Sequence, residues 1–248
     1  REPLYLTAMR YAGIVITPEK RPAHVDTVVL DDADTARLHK WFHALPLPEP
    51  GPTPEHLLEV RGLGFGYTKG QSTLHDISFS IGKGEMVSIV GRNGAGKTTT
   101  LKSVVGIQQF DSGRITIGGH SIQDDPIACK KMLAYIPDNP DLYEFMTGIQ
   151  YLNFIADIFG VEESARQERI RKYADLFELT TDLAQPVAAY SHGMKQKLAI
   201  ISAWLHQPKL TLMDEPFVGR DPKASHLLKG MMREVCDTGG AIFSLPMY

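Results

Sequence analysis

Short apolar runs of strand length and longer stretches of helical period alternate along most of the chain. From Leu57 the runs are strand-like, first Leu57 to Val60 and then Ile77-Ser78-Phe79-Ser80-Ile81, joined through the turn-rich stretch Tyr67 to Thr73 and closed by Gly82-Lys83-Gly84. Met86 to Val90 has the short, β-branched character of a buried strand, and helical spacing follows in Thr100 to Val105. Gly113 to Gly119 reads as a strand and tight turn, and Met132 to Ile136 as another strand stopped by Pro137. Between Thr147 and Leu179 the period lengthens to that of helices. Tyr151, Leu152, Ile155, Ile158 and Phe159 fall on one face, and Ile170, Tyr173, Ala174 and Phe177 on another. These are core positions, although one face could also receive a partner helix. Ser191 is placed to cap a helix running to about His206, Leu210 to Met213 reads as a buried strand, and Gly240 to Ser244 as a last one. The alternation predicts an α/β domain carrying a helical insert.

Composition changes this picture at the N-terminal end. Prolines 46, 48, 50, 52 and 54 alternate with other residues, the pattern of an extended linker. Short helices are expected ahead of it, around Leu4 to Tyr11 and Asp32 to Leu45. Trp41 and Phe42 suit docking against the protein's own domain, and His39 and His43, one helical turn apart, lack the further ligand that a metal site needs. The expected division is a segment over 1–54 and a domain over 55–248, with a helical subdomain at about 139–190. A start at Arg1, without an initiator Met, suggests a piece of something longer. With 248 residues and 43% hydrophobic content the chain can build a sizeable core. A net charge of -3, with both signs mixed along the chain, argues against a nucleic-acid partner. Cys129 and Cys236 have no metal-ligand spacing and read as reduced core residues. Apolar stretches such as Ile149 to Val161 are broken by Gln150, Asn153 and Asp157 and fall short of the ~20 residues that span a bilayer, so any membrane association would go through a partner.

The chemistry concentrates in Gly91-Arg92-Asn93-Gly94-Ala95-Gly96-Lys97-Thr98-Thr99, which fits the phosphate-binding pattern G-x-x-x-x-G-K-[ST] between a strand and a helix. Glycines let successive N–H groups turn inward around phosphate oxygens, and the helix dipole favours the same anion. Lys97 adds a point charge for the β- and γ-phosphates, and the Thr98 hydroxyl is placed to ligate Mg²⁺. The glycines at 62, 64 and 66 have the wrong spacing for a dinucleotide fingerprint. Tyr67, in a loop upstream of the phosphate site, can stack on a nucleobase or pack on a sheet edge. Ser191 opens a helix whose free N–H groups can also face a phosphate. Asp214 and Glu215, at the end of a buried strand, suit divided work: one carboxylate holds Mg²⁺ and the other orients or deprotonates water.

Together these residues resemble the nucleotide-binding domain of an ATP-binding cassette (ABC) transporter over residues 57–248. The resemblance implies a P-loop NTPase fold, with a RecA-like core, an antiparallel β portion and a helical subdomain. It implies that Tyr67 stacks on adenine, that Gly91, Asn93, Gly94, Ala95, Gly96, Lys97, Thr98 and Thr99 contact the phosphates of ATP, that Asp214 binds magnesium and that Glu215 is the catalytic base. Ser191 and Gly193, in Ser191-His192-Gly193-Met194, stand at the family signature and would meet the ATP of an opposite protomer, with Asp221 in a loop facing it. A second ABC ATPase domain, identical or different, and an integral membrane transporter subunit are the partners implied, with the chain at the inner face of the cell membrane. Departures from the family pattern are Asp138 where a Gln is usual, His192 and Met194 in the signature, and Arg220 for a Leu. Asp138 is still able to bind metal or water. After Gly240-Ala241-Ile242-Phe243-Ser244 comes Leu245-Pro246-Met247-Tyr248 in place of the switch histidine, so the domain is expected to be C-terminally truncated. That departure keeps a second reading open, a regulatory cassette that binds ATP and hydrolyses it poorly, which the intact Glu215 opposes. Residues 1 to about 90 are similar to two-cassette ATPases of energy-coupling-factor vitamin importers, and those from about Thr98 onward to single-cassette exporter ATPases, which places a junction near Asn93 to Lys97.

Overall fold

The computed structural model describes residues 56–67, 73–214 and 222–245, together with positions 33, 36, 37 and 40. Those four positions are helical, inside the helix expected over Asp32 to Leu45. The linker prolines, His39, His43, Trp41, Phe42 and the stretch Leu4 to Tyr11 lie outside the described residues.

Two sheets carry the described residues. The first is antiparallel, in the order β2-β1-β4-β5, formed by β1 (His56–Phe65), β2 (Leu74–Gly82), β4 (Ser112–Ile117) and β5 (His120–Ser121). The second is parallel, in the order β3-β8-β7-β6, formed by β3 (Met86–Ser88), β6 (Leu133–Ile136), β7 (Leu210–Met213) and β8 (Ala241–Ser244). β1 is longer than the expected Leu57 to Val60 and runs on through Gly62 and Gly64, where its pairing with β2 shifts register. β3 is shorter than the expected Met86 to Val90. Among the described residues it pairs with β8 alone, the ladder stops at the Ile89 N–H, and Val90 is 73% exposed.

Among the described residues from 56 onward, the α-helices are α1 (Lys97–Val104), α2 (Pro126–Met132), α3 (Gly148–Phe159), α4 (Glu163–Leu176), α5 (His192–Trp204) and α6 (Pro222–Asp237). α3 starts where the sequence signals it. The Thr147 hydroxyl accepts from the Gln150 N–H at 3.3 Å, the Gln150 side chain accepts from the Thr147 N–H at 2.9 Å, and Gly160 in the left-handed region ends the helix. α5 ends at Trp204, two residues short of the expected end near His206.

Strands β7 and β8 of the parallel sheet are buried on both faces, and their successive residues enter different interiors. Leu210 and Leu212 of β7 and Ala241 and Phe243 of β8 pack with Leu101 and Val104 of α1 and Leu58, Val60, Ile115 and Ile117 of the antiparallel sheet. Met213 and Ile242 pack on the opposite side with Leu152 and Ala156 of α3, Ile170, Tyr173 and Ala174 of α4, and Leu198 and Ile201 of α5. This arrangement puts the C-terminal ends of β3 and β7 beside the start of α1.

Candidate functional site

The phosphate loop leaves β3 and turns into α1 through Gly94 (φ 83°) and Gly96 (φ 84°), both in the left-handed region. A Cβ on Gly96 would stand 2.5 Å from Leu74 Cδ2, so this position needs glycine for its backbone and for its neighbour. Residues 91–95 are exposed, and Lys97 folds back across them, donating from Nζ to the carbonyls of Gly91 at 2.8 Å and Arg92 at 3.2 Å. Thr100 N–H is paired to the Gly96 carbonyl at 2.8 Å, while the first N–H groups of α1 have no earlier turn to bond to, which leaves them free for an anion. The curl with one ammonium across it suits a polyphosphate.

The end of β7 delivers Asp214 to the same place. Its side chain is buried, at 7% exposure, and its N–H donates to the Ile136 carbonyl at 2.9 Å. Thr98 Oγ1 donates to Asp214 Oδ1 at 3.3 Å, and the Tyr135 hydroxyl donates to Asp214 Oδ2 at 3.4 Å. Burial raises the carboxyl pKa of Asp214 above its ordinary value. The Thr98 hydrogen bond and the Lys102 charge oppose this, and the charge of Asp138 reinforces it. Burial, followed by the charge and hydrogen bond of Asp214, pushes the Tyr135 phenol well up, so it stays a donor. A desolvated carboxylate facing a hydroxyl supplies hard oxygen ligands that suit Mg²⁺, a cation that takes few protein oxygens and fills its octahedron with phosphate and water. Among the described residues no group of three or more His, Cys, Asp or Glu side chains is arranged to hold a metal by itself.

Tyr67 stands at the edge of this site. Its ring is 70% exposed and set edge-on to Phe65 at 4.7 Å, and its hydroxyl lies 3.2 Å from Thr99 Oγ1. Asp138 is exposed. Its charge reaches Asp214, and its backbone carbonyl accepts from Gln196 Nε2 of α5 at 2.9 Å. The first turn of α5 is capped as expected, with Ser191 Oγ accepting from the Met194 N–H at 3.3 Å. Ser191, His192 and Gly193 are exposed, and open space surrounds Gly193. No hydrogen bond joins Ser191 or Gly193 to the phosphate loop among the described residues. Glu215 and Asp221 lie outside the described residues. Tyr135 and Lys102 went unread in the sequence. Lys102 follows Thr98 by one helical turn, a spacing that places it on the face near Asp214.

The ABC transporter family model matches residues 74–218, and a model described as ATP-binding cassette cobalt transporter matches residues 1–65. The chain belongs to the ABC transporter family and is an ATP-binding subunit of it. It is 34% identical over 186 residues to the ABC-type transporter ATP-binding protein EcsA of Bacillus subtilis (strain 168), covering 75% of each chain. It is 31% identical over 227 residues to the putative ABC transporter ATP-binding protein CPE1583 of Clostridium perfringens (strain 13 / Type A), covering 90% of this chain and 39% of that protein. A solved structure described as an ATP-binding subunit of an ABC transporter matches with a TM-score of 0.72 at 40% identity, over 76% of this chain and 79% of the other. CbiO1 from Clostridium perfringens, part of the ABC transporter complex CbiONQ, matches with a TM-score of 0.65 at 25% identity, over 79% of this chain and 80% of the other. The model over residues 1–65 accords with the importer resemblance of the N-terminal part, and the model over residues 74–218 is that of the ABC transporter family as a whole.

Proposed function

We propose that the chain hydrolyses Mg-ATP and that this hydrolysis drives transport through a membrane partner. The observation that carries the reading is the convergence of Lys97, Thr98 and Asp214 at the mouth of the phosphate loop. Thr98 and Asp214, with Asp138 in electrostatic reach, would hold Mg²⁺, which supplies charge neutralisation on the β- and γ-phosphates. Lys97 would leave the Gly91 and Arg92 carbonyls for phosphate oxygens, and the loop N–H groups would orient the chain of phosphates. The exposed face of Tyr67 is open to adenine, and Glu215 would take a proton from the attacking water.

The exposed first turn of α5, with Ser191 and Gly193, suits the ATP of a second ABC ATPase domain, identical or different. No described helix is long and apolar enough to cross a membrane, and the crossing in this reading belongs to an integral membrane subunit. Phe145 is 55% exposed between β6 and α3 and lies 5.9 Å from the Tyr143 ring, which in turn meets Phe154 at 5.5 Å. This aromatic patch suits a helix of that subunit, which would hold the chain at the inner face of the cell membrane.

Steady-state ATP hydrolysis with Mg²⁺, measured for the chain beside Glu215→Gln and Lys97→Ala, tests the reading. The expected outcome is turnover in the parent, a fall of about 100-fold or more in Glu215→Gln with ATP binding kept, and loss of binding in Lys97→Ala. ATP binding without turnover in the parent would replace this reading with that of a regulatory cassette.

A further inference from the structure

We propose that Tyr135 is a positioning residue for Asp214, fixing the orientation in which its carboxylate meets a divalent cation. This rests on the reading above, in which Thr98 and Asp214 hold Mg²⁺. The torsion that turns an Asp carboxylate about its own axis is broad and roughly twofold. A contact at one oxygen leaves the group free to swing, whereas contacts at both oxygens define its plane. Asp214 has both. Thr98 reaches Oδ1 from α1 at 3.3 Å, Tyr135 reaches Oδ2 from β6 at 3.4 Å, and the N–H bond to the Ile136 carbonyl anchors the backbone between them. At these lengths, beyond the ordinary range for O–H···O bonds, each contact gives direction more than strength.

The parallel register explains why this tyrosine is the one in reach. Tyr135 pairs with Leu212, and Asp214 follows Leu212 by two residues, so all three side chains leave the sheet on the same face. Tyr135 and Asp214 are thus diagonal neighbours on adjacent strands, a separation that a long side chain bridges. The ring packs in the apolar interior beside Leu133 and Leu212, and the hydroxyl alone meets the carboxylate. Removal of the hydroxyl therefore separates the packing role from the positioning role.

The experiment measures binding of a fluorescent ATP analogue, methylanthraniloyl-ATP, to the purified parent chain and to Tyr135→Phe, first in EDTA and then across a Mg²⁺ titration. We expect metal-free nucleotide binding within about twofold of the parent and a Mg²⁺ midpoint raised about tenfold, the scale on which groups orienting a metal ligand act. The rise in melting temperature that Mg²⁺ adds to the ATP complex is expected to shrink as well. Each protein serves as its own reference there, so general destabilisation cancels. An unchanged Mg²⁺ midpoint overturns the proposal and leaves Tyr135 a packing residue, and so does an equal loss of metal-free binding. If the parent gains nothing from Mg²⁺, the metal reading falls and this one with it, before any variant is made. Tyr135→Leu, which also lacks the hydroxyl, serves the same comparison should Tyr135→Phe fail to fold.

Discussion

Gly96 concentrates the demands of the phosphate loop in a single residue. It must hold φ at 84° and pass within van der Waals range of Leu74 while opening α1. Gly96→Ala is expected to lower stability by about 1–2 kcal/mol from the left-handed backbone alone. It should weaken ATP binding further, because relief of the contact with Leu74 Cδ2 re-aims the first N–H groups of α1. Urea unfolding and nucleotide titration of the same variant check both. The loop was legible in the sequence because its function depends on backbone conformation, which glycines advertise. Asp214 was legible for a related reason, as a carboxylate ending an apolar strand. Tyr135 was not, because an aromatic at a strand end looks the same whether its hydroxyl reaches a carboxylate or water. Only the register of β6 on β7 distinguishes the two. Cys129 follows its expectation: it is a free thiol that burial pushes up to about 12.

Elements with chemical punctuation at their ends were found where the sequence placed them, as in α3 between Thr147 and Gly160 and α5 behind Ser191. The helices passed over were α2 and α6. α2 begins at an Asp-Pro step, with Asp125 as cap and Pro126 in its first turn, a start signal that its seven residues left no period to confirm. α6 carries a helical period in Ala224, Leu228, Met231 and Met232, the last two being methionines in a stripe more often built of leucine. At the scale of a helix, α5 offers a test that separates stability from function. Gly193 sits in its first turn with open space around its Cα, so Gly193→Ala should stabilise the chain by about 0.5 kcal/mol through helix propensity. If the turn meets the ATP of an opposite protomer, the same variant should lose ATPase activity while melting higher. Activity that rises or holds with the melting temperature would assign the turn a structural role alone.

At the scale of the whole molecule, His206, after α5, ties α3 to the parallel sheet. Its ring stacks on Phe159 of α3 at 3.8 Å, and Nε2 donates to the Leu133 carbonyl at the start of β6 at 3.2 Å. Burial, with a smaller contribution from Arg169, lowers its pKa to about 4 against the bond to Leu133. The unfolded chain therefore binds a proton that the folded chain refuses. The stability contributed is complete above pH 6.5 and is lost as pH falls toward 4, reaching about 3 kcal/mol over that window. Between pH 7.5 and 5.5 the expected loss is about 1.4 kcal/mol by urea unfolding, and His206→Asn should remove that part of the pH dependence. The alternation of side chains along β6, β7 and β8 has a different consequence, for grafting. Among the described residues, every buried apolar residue on the helical side of the parallel sheet lies at or after Ala134, whereas the other interior draws on Leu57 through Leu245. A graft that exchanged residues 56–100 for those of a relative would have one interior to reconcile and would leave the second intact. The parallel sheet is a firewall between two independently editable compartments.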